Sequence, residues 1–292
     1  MQRARTQSSN GTARWWPSQF GPGDQIGMLN HVTAQKRVEA MSLVREGRLY
    51  DLAQVLDERV PVFPGRHFNQ TLVTTAHHEN GGGVGDNKVN WVICVVNGTM
   101  QLGTHLDGLN HLQIGERTYN GHTVSDLAES WGTNRLGAET IPQIVTRGLL
   151  VDVSELGLGP GDAISLEHVA GLEPTPGDAV LFHTGWSRHW DDPETFLSGE
   201  PGPGLELAEW LASRGVALTG CDTWSYGPVP AEDPARPFEV PQTLNVKHGV
   251  FVVECLSTAE LAADGVREFA LILTHPKPRG ASGAWTAPIA LV

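Results

Sequence analysis

From residue 148 onward the chain alternates strand-like runs with helical ones, and this rhythm restricts its fold more than any other feature. Residues 148–153, 178–183, 216–219, 250–254, 269–273 and 289–292 are apolar runs of strand length. Between them, 165–170 and 204–214 read as helices, the second with Leu205, Ala208, Leu211 and Ala212 on one face. Such alternation predicts an α/β or α+β chain with a sizeable sheet. Upstream, 50–55, 70–76 and 90–96 read as strands, and 125–131 and 140–146 as short helices. Thr33 is a good N-cap for a helix to about residue 45, with Val38, Met41 and Val44 as its apolar stripe and Gly47 closing it. No Pro-, Gly- or Ser-rich linker divides the chain, so residues 14–292 read as a single domain behind a frayed polar lead, 1–13. Within it, 14–30 is an arm carrying Trp15, Trp16 and Phe20, which should pack on the body or clasp another subunit.

Charge narrows the partners. A net −13 with no basic cluster argues against nucleic acid and anionic membranes. No apolar run approaches the roughly 18 residues of a membrane span, and Arg3 and Arg5 are followed by no signal-peptide core. Three scattered cysteines, Cys94, Cys221 and Cys255, fit a reducing cytoplasm, and Cys255 sits in an apolar run where an inert thiol is expected. The Gly-rich run 79–87 reads as a loop without the Lys-Ser/Thr of a phosphate site, and the Pro-rich run 228–241 as a long functional loop.

The chemistry concentrates in Gln101-Leu102-Gly103-Thr104-His105-Leu106-Asp107-Gly108-Leu109-Asn110-His111. Side chains at i and i+2 of an extended strand share a face. Gln101, Gly103, His105 and Asp107 would therefore point one way, with His111 just past the Gly108 turn. An imidazole and a carboxylate so placed suit a borderline or hard divalent cation. Further ligands stay open, because spacing does not choose among His111, His122, His248 and Glu254. His183, before Thr184-Gly185-Trp186, is a candidate pocket wall.

Those residues, with Val62-Phe63-Pro64-Gly65, Thr184-Gly185-Trp186, Gly220-Cys221-Asp222-Thr223, Gly249 through Glu254 and Gly280-Ala281-Ser282-Gly283, carry a resemblance. The chain resembles the cyclase family of metal-dependent hydrolases, which includes bacterial kynurenine formamidase and isatin hydrolase, in the form of its larger members with an N-terminal arm. The family signature H-x-G-T-H-x-D-x-P-x-H is matched from Gly103 to His111. The resemblance implies a swivelling β/β/α arrangement with a β-barrel-like core, and homodimers or homotetramers. It implies ligand roles for His105, Asp107 and Glu254, and an acid/base role for His111. This chain departs from the pattern in three places. Gln101 replaces the first signature His, Gln242 replaces a distant ligand His, and Leu109 replaces the Pro. Amide oxygens are weaker donors than imidazole. One ion, zinc or manganese, is therefore expected rather than two, held by His105 and Asp107 with Gln242 or Glu254, and Gln101 as a weak oxygen donor.

Such an ion would lower the pKa of a bound water towards about 7. Imidazole, ordinarily near pKa about 6.5, suits the proton transfer expected of His111, with Glu254 sharing the base role if it is not a ligand. The expected reaction is hydrolytic opening of a cyclic amide or lactone, or cleavage of a small aryl amide. Phe63, Trp15, Trp16 and Trp186 are candidate substrate platforms, with core packing the plainer role for each. Two rivals stay open. One is a non-catalytic metal or small-molecule binding protein; the other is an iron(II) oxygenase using His105, Asp107 and His248.

Overall fold

The computed structural model describes residues 14–74 and 83–292. The lead 1–13, the His77-His78 pair and residues 79–82 of the Gly-rich run lie outside the described residues. Nine strands form the main sheet: β1 (Leu49–Asp51), β2 (His105–Asp107), β3 (Ile144–Asp152), β4 (Ala179–His183), β5 (Leu218–Cys221), β6 (Phe251–Glu254), β7 (Glu268–Leu273), β8 (Gly283–Trp285) and β9 (Ile289–Leu291). Their order is β1-β9-β7-β3-β4-β5-β6-β2-β8, in a curled half-barrel of mixed α/β character. The four strands β3 to β6 run parallel, and every other pairing within this sheet is antiparallel.

Sequence explains the parallel centre. Ala179-Val180-Leu181-Phe182 and Phe251-Val252-Val253 are buried along their whole length, as strands covered on both faces must be. Among the described residues two helices reach eight residues, α1 (Ala34–Met41) and α2 (Leu205–Ser213). The latter joins β4 to β5 and sinks Leu207, Ala208, Leu211 and Ala212 into the core.

Three local expectations are corrected. Residues 140–146 are not helical: a 3-10 turn, Ala138–Thr140, precedes β3, which pairs with β7 from Ile144↔Leu273 to Leu149↔Glu268. The ladder overrides a weak helical pattern. The helix over 125–131 shrinks to Val124–Leu127, and Ala128–Glu129 folds back on Gly132–Thr133. In α1 the Thr33 side chain does accept from the Lys36 amide, but the helix stops at Met41, short of Gly47, and its orientation differs from expectation. Val38 and Met41 are exposed, while Lys36 and Ala40 are buried. The Lys36 ammonium pairs with Asp178 and donates to Thr175 Oγ1 at 2.8 Å, so an ion pair, not an apolar stripe, sets the face turned to the sheet.

A separate hairpin, Phe68–Thr74 with Val92–Gly98, stands apart from the main sheet. It leaves Leu72, Val92, Ile93, Val95 and Val96 exposed. Among the described residues no helix is long and apolar enough to cross a membrane.

Candidate functional site

The three-residue strand β2 is held on both sides, by β6 and β8. His105 lies directly opposite Glu254, and Asp107 is two residues further along the same strand. Directly opposed residues and i, i+2 neighbours share a face, so topology alone gathers these three side chains. The residues before β2 fix its aim. Gly103 takes φ +58, and a Cβ there would lie 2.1 Å from Leu56 Cδ2. Its carbonyl accepts a hydrogen bond from His105 Nδ1 at 2.8 Å, which puts the ring proton on Nδ1 and leaves the Nε2 lone pair facing the site. Thr104 Oγ1 donates to the Cys255 carbonyl at 2.7 Å and accepts from the Gln54 amide at 2.8 Å, clamping β2 to the end of β6.

His105 Nε2 lies 3.2 Å from Glu254 Oε2 and 3.6 Å from Asp107 Oδ1. These contacts are not hydrogen bonds: His105 Nε2 and Asp107 Oδ1 are buried without a partner. Lone pairs facing each other at such distances repel unless a proton or a cation sits between them. One ligand atom from each of His105, Asp107 and Glu254 falls within 4.8 Å of the others. One nitrogen and two carboxylates fit a divalent cation. Burial shapes the titration of all three. It pulls the His105 imidazole down against the pull of Asp107, and pushes the Asp107 carboxyl up. It pushes Glu254 up to about 8, with His111 and Arg66 opposing.

Beside this cluster opens a cavity of about 260 Å³, lined by Phe63, Arg66, Asp107, His111, Trp224, Phe238 and Glu254 among others. His111 is partly exposed there, its Nε2 3.9 Å from Asp107 Oδ1. Phe63 meets Trp224 edge-on at 4.3 Å between ring centres, and Trp224 meets Phe238 at 6.4 Å.

The structure therefore brings together His105, Asp107, Glu254, His111 and Phe63. It does not bring in the other residues singled out from sequence. Gln101 is buried near the cluster, but its amide nitrogen donates to Ser282 O and Oγ, both at 3.1 Å. Gln242 donates to the Gln113 carbonyl at 2.6 Å and lines a different cleft, of about 740 Å³, together with Trp15 and His248. Trp16 packs against Trp15 and under the guanidinium groups of Arg14 and Arg117. The arm itself folds back on its own chain: the Ser18 amide donates to Asn120 Oδ1 at 2.7 Å, and Tyr119 OH to Asp24 Oδ2 at 2.6 Å. His183 lies at the end of β4, its Nδ1 2.8 Å from Thr258 Oγ1 and 3.2 Å from Asp222 Oδ2. Trp186 is buried behind the cavity wall and donates to the Phe196 carbonyl at 3.1 Å.

Sequence reasoning missed Arg66, Trp224, Phe238 and Glu200. Glu200 is fully buried and accepts from the Trp224 amide (2.6 Å), the Ser225 amide (3.0 Å) and Ser225 Oγ (2.7 Å), pinning that part of the wall. Burial pushes its carboxyl well up. Phe238 belongs to the Pro-rich run 228–241, and Trp224 follows Asp222-Thr223 directly; both signals were present, but without a spacing that ties them to β2. Cys255 is buried and its thiol is pushed up by burial, as an inert thiol should be.

No curated protein sequence matches the chain. Among solved structures, one described as a novel cyclase is 27% identical, covering 94% of this chain and 98% of that one, with a TM-score of 0.84. Isatin hydrolase A from Ralstonia solanacearum shares the fold at 21% identity, 84% and 92% coverage and a TM-score of 0.62. A protein described as a predicted metal-dependent hydrolase from Bacillus stearothermophilus does so at 19% identity, 84% and 98% coverage and a TM-score of 0.56. The sequence model of the Cyclase family matches residues 50–228, a span that holds β2, its preceding Gly-Thr turn and most of the cavity wall. On that match over more than half its length, with the same fold throughout, the chain belongs to the Cyclase family.

Proposed function

We propose that the protein is a metal-dependent hydrolase that opens a cyclic amide or lactone, or cleaves a small aryl amide. One observation carries the reading: two buried atoms without partners, His105 Nε2 and Asp107 Oδ1, sit beside a cavity that also presents the His111 imidazole. An unsatisfied buried polar atom costs about 1–3 kcal/mol, so a pair of them beside a third donor is the signature of a cation grip. His105, Asp107 and Glu254 would hold the cation. When bound, it supplies acidity to a water and polarises a carbonyl oxygen. The Gly103 carbonyl keeps the His105 ring in the tautomer that offers Nε2, and so orients the ligand. His111 can take a proton from the attacking water and return it to the departing nitrogen or oxygen. Phe63, Trp224 and Phe238 offer aromatic faces and edges that would seat a flat ring and keep bulk water away.

A cavity of about 260 Å³ suits a small molecule. The fold likeness to isatin hydrolase A and to the Bacillus stearothermophilus protein supports hydrolysis of this kind. One ion, zinc or manganese, agrees with Gln242 lining a different cleft. A cytoplasmic homodimer or homotetramer completes the reading. Elemental analysis of the purified protein, run with a screen of lactones, cyclic imides and aryl amides, tests it. Turnover is expected to vanish on chelation and return with zinc or manganese; turnover that persists without metal overturns the proposal.

A further inference from the structure

We propose that Arg66 is a specificity-determining residue that binds a carboxylate on the substrate. This deepens the hydrolase reading and rests on it, since it concerns the same cavity. Arg66 follows Pro64-Gly65, and its amide donates to the Phe63 carbonyl at 3.0 Å, closing the turn, with Gly65 at φ +88. The side chain is then fixed from two sides. Its guanidinium lies over the Phe63 ring, 5.1 Å from the centroid, and NH1 donates to the Gln101 carbonyl at 2.7 Å. Among the described residues no carboxylate forms an ion pair with it, although it lines the cavity beside Asp107 and Glu254.

A guanidinium has five N–H donors in a rigid fork suited to a carboxylate, and here one of them is used. Stacking on Phe63 and the bond to Gln101 preorganise the rest, so little side-chain freedom is lost on binding. Charge accounting points the same way. Neither Asp107 nor Glu254 lies within ion-pair distance of the guanidinium, so its charge stands unpaired on the wall without any cation bound. Phe63 lies under the guanidinium and Trp224 lines the same cavity, so the group recognised is a carboxylate borne on a flat ring. The competing role, compensation of charge developing on the attacked carbonyl, would act on neutral and anionic substrates alike.

The test is calorimetric binding of benzoate and of benzamide to the whole protein, as purified and after chelation, in wild type, Arg66→Met and Arg66→Lys. Benzoate should bind wild type about tenfold tighter than benzamide or better. Arg66→Met should abolish that preference without weakening benzamide, Arg66→Lys should keep part of it, and the Arg66-dependent difference should survive chelation. Equal affinities in wild type, equal weakening of both probes by Arg66→Met, or a preference abolished by chelation alone overturns the proposal. If Arg66→Met does not fold, Arg66→Lys decides: a reduced benzoate preference with benzamide binding intact supports it, and an unchanged one overturns it. A protein that keeps the Arg66-dependent preference but hydrolyses no ester, lactone or amide refutes the hydrolase reading and leaves this site standing.

Discussion

At the scale of single residues, the proposed chemistry depends on a few groups whose surroundings are unfavourable to them. His111 stands beside Asp107 at the cavity but takes no part in the pairing of β2, so its side chain can be removed without breaking the strand that carries the cluster. His111→Ala should lower turnover about 100-fold or more while metal content, read by elemental analysis, stays at the wild-type level. Glu254 gives a prediction about pH. Its carboxyl is raised from 4.5 to about 8 by burial, so the folded metal-free protein keeps a proton that the unfolded chain releases. The stability of the chelated protein should therefore fall as pH rises from about 4.5 to about 8. Glu254→Gln should flatten that slope in melting curves; an unchanged slope would assign the proton elsewhere. Cation binding must displace the same proton, so apparent metal affinity should climb with pH and level off above about 8. His183 and Asp222 form the reverse case. Burial opposes charge on both, but their mutual hydrogen bond wins, raising His183 and lowering Asp222. Their contribution to stability is complete between the two ordinary pKa values. It is lost as pH rises through the raised His183 value or falls through the depressed Asp222 value.

Elements were legible where their signal was local. β4, β6, β7 and α2 lie within one or two residues of where apolar runs and helical spacing put them. The Thr33 cap was legible as well, because capping is decided within four residues. The orientation of α1 was not, because a buried lysine at its first turn answers an aspartate 142 positions away at the start of β4. That pair makes a test. Lys36→Ala should cost about 3 kcal/mol in denaturant unfolding, since it leaves Asp178 buried with less compensation. Val38→Ala, on the face once expected to be apolar, should stay within about 0.5 kcal/mol. The helix expected at 140–146 failed for a related reason: its residues find ladder partners in β7, more than a hundred positions on.

On the scale of the whole molecule, the hairpin Phe68–Thr74 with Val92–Gly98 is the part least accounted for by one chain. It carries no charged side chain, in a protein of net charge −13, and exposes apolar side chains on both of its faces. An isolated two-stranded ribbon is marginal in water, and exposed apolar surface of this kind marks an association site. Light scattering should accordingly give a mass at least twice 31.5 kDa, and Leu72→Glu with Val95→Glu should reduce it towards the single chain. A monomeric wild type would refute the homo-oligomer expectation.

Periodicity, capping and the Gly-Thr-His-x-Asp spacing act over a few neighbouring residues. They announced a sheet-rich α/β chain and one half of the candidate metal site without help from packing. Glu254 could be chosen from the open candidates only by likeness, and Arg66, Trp224, Phe238 and Glu200 could not be named at all. Their places follow from which strand lies beside which. It is the antiparallel register of β2 with β6, not any feature of residues 101–111, that sets Glu254 across from His105, and such pairing is chosen by the packing of the entire sheet.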